Sequence, residues 1–173
     1  RLLRWSVTPA VAAALVPLAP LPVPVAPRDP LPAFITAGGW RQCVPEGGVL
    51  VPVPAATPPR PQPMRWPTAT NVAFAIPEGF FIGPYGAGGT GAMGVSRFPV
   101  SVLLEQVADT GQVPPLGPAE RDGMRAALAF WRADCVAVAD SAPHAAALTA
   151  ALADLMQRPG VRIADATAWK ISR

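Results

Sequence analysis

The chain has 173 residues, a length that suits one domain of ordinary size. It carries 24 prolines, far above the usual share of about 5%, with 14% charged and 51% hydrophobic residues and a mean hydropathy of +0.32, which excludes disorder of the polar, highly charged kind. The net charge of +3 comes from thirteen arginines and one lysine spread thinly, so the dense basic stripe of a nucleic-acid binder is absent, and one histidine with two cysteines cannot fill a four-ligand zinc cage.

The 23 residues between Arg4 and Arg28 carry no charge. About 20 apolar residues cross a bilayer core, but Pro9 and the cluster from Pro17 onward confine good helix to Leu2–Val16. Residues 1–22 therefore read as the outer end of a membrane-spanning helix, or as a signal peptide with Arg1 and Arg4 as its basic region. A buried N-terminal helix of a soluble protein is the bland alternative. Both export readings leave Arg1 and Arg4 on the cytoplasmic side and the rest outside. Residues 23–33 form a stiff proline-rich linker, and residues 34–173 an extracytoplasmic α/β domain.

Within that domain, Val49–Pro54 reads as a strand whose prolines place it at an edge or a ladder end. Thr57–Pro63, with four prolines in seven residues, is a loop. A short helix after Pro67 and a strand-like stretch at Ala73–Ile76 are expected next. The run Gly86–Gly94 reads as a featureless, mobile linker. Ser101–Thr110 is predicted helical with Gly111 as its stop. In Gly117–Ala133, Met124, Leu128 and Trp131 share one face, and Glu120 and Asp122 complement the dipole. Cys135–Ala139 is a fully apolar, buried strand. Ser141 is expected to cap a helix from Pro143 to Gln157, and Val161–Ile171 reads as one last strand. The order predicts an α/β fold with a small three-stranded, mainly parallel sheet and flanking helices.

Familiar catalytic constellations fit poorly. His144 is the one histidine, and no Gly-x-Ser-x-Gly elbow supplies it with a nucleophile. No Gly-Lys-Ser/Thr follows the glycine run, as a phosphate loop requires. Glu46, Glu78, Asp134 and Asp140 lie in turns or at strand ends; Asp140 follows a strand's carboxyl end, where α/β sheets bind ligands. Trp40, Trp66, Phe80, Phe81 and Tyr85, with Arg41 and Arg65, are either ring faces and guanidinium forks for sugars and their phosphates or the filling of a small core. Cys43 and Cys135 are either a disulfide formed in an oxidising compartment or two small buried hydrophobes.

The proline-rich exit, Trp40-Arg41, the Val49–Pro54 strand, Met64-Arg65-Trp66, Gly79-Phe80-Phe81-Ile82-Gly83-Pro84 and Phe130-Trp131-Arg132-Ala133-Asp134 before the Cys135 strand form an ordered set. That set resembles the C-terminal extracytoplasmic region of actinobacterial multispanning membrane glycosyltransferases. It departs from the family pattern at Pro67, where glutamine is common, and at Phe80, where tyrosine is usual. The resemblance implies a parent transferase that uses a polyprenyl-phosphate sugar, with its acidic catalytic residues in loops between membrane helices outside this chain. The domain itself is then non-catalytic, guiding acceptor glycan or lipid-linked donor at the cell membrane. Its ligand-lining candidates are Trp40, Arg65, Trp66, Phe80, Phe81, Tyr85 and Asp140, and no metal or cofactor is expected. Alternatives are a structural, partner-binding exported module and a small independent secreted protein.

Overall fold

The computed structural model describes residues 28–80, 82–85, 88–93 and 97–172. The membrane-spanning or signal helix expected at 1–22 and the first part of the linker lie outside these residues. Among the described residues no helix is long and apolar enough to cross a membrane.

In chain order the elements are α1 (Ala33–Thr36), β1 (Leu50–Pro52), α2 (Arg65–Ala69), β2 (Ile82–Tyr85), β3 (Thr90–Met93), α3 (Pro99–Thr110) and α4 (Pro118–Trp131), then β4 (Cys135–Ala139), α5 (Ala145–Leu155), β5 (Val161–Ile163) and β6 (Ala166–Lys170). Short 3-10 turns at Gly39–Gln42 and Gln62–Met64 lead out of α1 and into α2. Four strands make a mixed sheet in the order β1-β4-β6-β5. Only β1 and β4 run parallel, with Leu50 beside Cys135; β6 is antiparallel to both β4 and β5.

The α/β class holds, but the three-stranded, mainly parallel sheet does not. The stretch expected as one last strand folds back on itself at Ala164, whose φ of 52° lies in the left-handed region. An alanine there carries no turn signal. What holds the bend is Asp165, whose carboxylate accepts backbone N–H bonds from Ala33 and Phe34, both at 2.7 Å. The glycine run also differs from expectation. Residues 82–85 and 90–93 pair as an antiparallel hairpin, with Gly89 at φ 62° in the turn. A positive φ is why glycine suits that position. The helix expected from Pro143 starts at Ala145, with His144 rather than Ser141 as its N-cap. The stop at Gly111 is borne out: it caps α3 at φ 71°, its N–H bonded to the Val107 carbonyl.

Side-chain alternation in β4 and β6 divides the core. Val136, Val138 and Trp169 face α3, α4 and α5, where they meet Leu104, Val107, Met124, Leu128, Leu148 and Leu152. Cys135, Ala137, Ala139, Ala166 and Ala168 face the other way, beneath Phe34, Trp40, Trp66 and Phe74. Alanines on that face leave the room that four aromatic rings need, since interiors pack at near-crystalline density. The result is three layers: long helices, sheet, and a cover of short helical turns. Cys43, just after the 3-10 turn that carries Trp40, is bonded to Cys135, the first residue of the central strand β4.

The Asp165 clamp yields the first prediction. Asp165→Ala removes both charge-assisted bonds, and each charged hydrogen bond is worth roughly 1.5–3 kcal/mol. Because the site is partly exposed, we expect a loss of about 1–2 kcal/mol in total. Cleavage by a low dose of protease between residues 28 and 38 should quicken. Unchanged cleavage there would show that α1 is held by its apolar contacts alone.

Candidate functional site

A cleft of about 370 Å³ opens where the carboxyl ends of the parallel neighbours β1 and β4 arrive side by side. This is the position at which α/β sheets characteristically take ligands, and the volume lies in the range of small-molecule sites. Val53 and Pro54 continue β1 into its wall through a cis Val53–Pro54 peptide. Ala139, Ser141, Ala142 and Pro143 continue β4 into the opposite wall. The proline-dense loop and the start of α2 bring Arg60, Gln62, Pro63, Arg65 and Trp66. The last wall is the incoming chain itself, Asp29 to Pro32.

The two guanidinium groups of the lining have identifiable partners. Arg65 Nη1 donates to the Asp29 carbonyl at 2.9 Å, pinning the incoming chain to α2. Arg60 bridges to α3, pairing with Asp109 and with Glu105, the latter at 3.0 Å. The hydrogen bond to Asp109 leads the causes that raise the Arg60 pKa above its ordinary value, against a smaller opposing effect of burial. Glu105 also pairs with Arg97, so the loop, α3 and the segment before it share one ionic network.

The sequence candidates are distributed unevenly around this cleft. Arg65 and Trp66 line it. Trp66 is nevertheless 4% exposed and meets Phe34 edge-on at 6.5 Å, so most of its ring belongs to the core. Trp40, 3% exposed, does not reach the cleft; it packs edge-on to Phe74 at 5.1 Å, with the Arg41 guanidinium 4.5 Å from its ring centre. Phe80 is half-buried before β2, outside the lining, and Tyr85 closes β2 opposite Thr90. Phe81 lies outside the described residues.

Asp140 sits between two lining residues but turns to Arg162 on β5. Hydrogen bonding from that guanidinium holds the Asp140 carboxyl below the ordinary aspartate range. Asp134 and Glu78 serve the scaffold: Asp134 accepts from the Val49 amide at 2.8 Å, and Glu78 from the Phe98 amide and the Ser101 hydroxyl at the start of α3. His144 packs against Gly111, on which an added Cβ would lie 2.7 Å from its Nδ1.

Sequence reasoning missed Arg60, Gln62, Ser141 and the incoming segment. The only signal for the first two was their place in a loop too rich in proline to be anything else. The chain matches no protein-family model, no curated protein and no solved structure.

Proposed function

We propose that this chain is the non-catalytic extracytoplasmic part of a membrane glycosyltransferase, and that its cleft holds part of an acceptor glycan or of a lipid-linked sugar donor. The observation that carries the reading is the lining: a tryptophan edge and proline faces, two guanidinium groups, no histidine or cysteine, and a single carboxylate residue, Asp29. Such a surface can hold a sugar's apolar C–H groups and an attached oxyanion. The buried Cys43–Cys135 bond supports an oxidising, extracytoplasmic setting. In this reading the uncharged stretch before Arg28 anchors the chain, and the cleft sits where that stretch joins the domain.

A second reading, a structural module that packs on a membrane domain or partner, draws on the burial of Trp40 and Trp66 among Phe34 and Phe74. One titration separates the two. With oligosaccharides and short-chain polyprenyl phosphates added to the full chain, we expect saturable amide shifts at Ser141 and Ala142 and at the Trp66 indole. Silence at all three positions, with the spectrum otherwise native, would favour the structural module.

A further inference from the structure

Among the described residues Arg65 stands in the cleft without a counter-ion. It is half-buried, and among the described residues it forms no salt bridge; its bond to the Asp29 carbonyl occupies one of five N–H donors. Charges removed from water are normally paired, because desolvation otherwise goes uncompensated. The neighbouring Arg60 shows the usual arrangement, its charge answered by Asp109 and Glu105. Asp29, the one carboxylate residue in the lining, is exposed and reaches Arg65 through its carbonyl only. Two neutral polar residues share the lining, Gln62 from the proline-dense loop and Ser141 on the wall that follows β4. Elsewhere the lining is apolar.

We infer that the cleft takes an organic phosphate, with its oxyanion on the Arg65 guanidinium and its organic body against Trp66 and the prolines. The inference rests on reading this cleft as a ligand site, as proposed above. Phosphate fits better than carboxylate because its oxygens point in several directions, toward a guanidinium fork on one wall and a hydroxyl on another, whereas carboxylate oxygens share one plane. The phosphate can belong to a lipid or to a soluble sugar; the cleft's chemistry is common to both.

The test uses the full 173-residue chain in nanodiscs and calorimetric titration with three probes: geranyl phosphate, a hexose 1-phosphate, and a neutral disaccharide. Binding of at least one phosphate probe in preference to the disaccharide, weakening as salt rises, is the expected result. The better phosphate identifies the source, lipid or soluble. Arg65→Ala should weaken that probe about 10- to 100-fold. Arg65→Lys, which keeps the charge but loses the fork, should fall between, and Ser141→Ala gives a readout on an exposed residue whose loss leaves the fold intact. A disaccharide that binds as well as either phosphate, indifferent to Arg65→Ala, overturns the phosphate inference and leaves the ligand site standing. Failure of all three probes overturns the ligand-site reading itself.

Discussion

Changing Cys43 and Cys135 together to alanine is expected to lower the unfolding free energy by about 3–4 kcal/mol. The bond closes a loop with a sequence separation of 92 residues. A loop of that size loses roughly 4–5 kcal/mol of unfolded-state entropy in the chain-entropy model, and measured effects commonly fall somewhat below it. The position adds to the effect. Cys43 follows the 3-10 turn that carries Trp40, Cys135 begins the central strand, and they are 3% and 0% exposed in the alanine-lined half of the core. Against a total stability of roughly 5–15 kcal/mol for a domain, such a loss is severe. Urea unfolding of the oxidised protein and the double variant measures it directly. A difference below about 1 kcal/mol would mean that the aromatic cover holds to the sheet without the bond.

Trp169→Ala should be comparably damaging, at about 3–5 kcal/mol. Trp169 is 1% exposed and is the large residue that β6 contributes to the helical side of the sheet, opposite Val136. Its indole Nε1 donates to the Arg158 carbonyl at 3.0 Å. Gly160 passes so close that a Cβ there would lie 2.8 Å from the ring. Substitution by alanine opens a cavity that this tight surround cannot fill by collapse. Trp169→Phe keeps most of the buried ring but leaves the Arg158 carbonyl without its donor, so a smaller loss of about 1–2 kcal/mol is expected. Equal losses for the two variants in urea unfolding would place the effect in the hydrogen bond rather than in packing.

The elements with strong periodicity are legible in the sequence. The face shared by Met124 and Leu128, the apolar run Cys135–Ala139 and the glycine stop at 111 all lie as their residue patterns dictate. What escaped reading depends on contacts between distant residues. The break at Ala164 is held by Asp165 reaching two amides more than 130 positions away, which no local pattern encodes. Trp40 and Trp66 look like ligand-stacking residues because they sit in irregular, arginine-bearing segments. A signal pointing to the core was nevertheless present: Ala137, Ala139, Ala166 and Ala168 make one sheet face from small residues, and such a face demands large ones opposite. The cleft was half legible. Arg65 and Trp66 were found, but Arg60, Gln62 and Ser141 converge only through the parallel pairing of β1 with β4.

The cystine also governs how the domain bears a pull. Tension entering along the incoming chain meets the Arg65 tie at Asp29, then the Asp165 clamp at Ala33 and Phe34, and at Cys43 passes by a covalent bond into the middle of the sheet. The intervening chain, about 300 Å of contour at roughly 3.3–3.6 Å per residue, is thereby hidden from the load. The lining contributed by residues 53–66 lies within that shielded loop, whereas the Asp29–Pro32 wall stands ahead of it. A pull applied through the incoming chain would strip one wall of the cleft and leave its arginines seated.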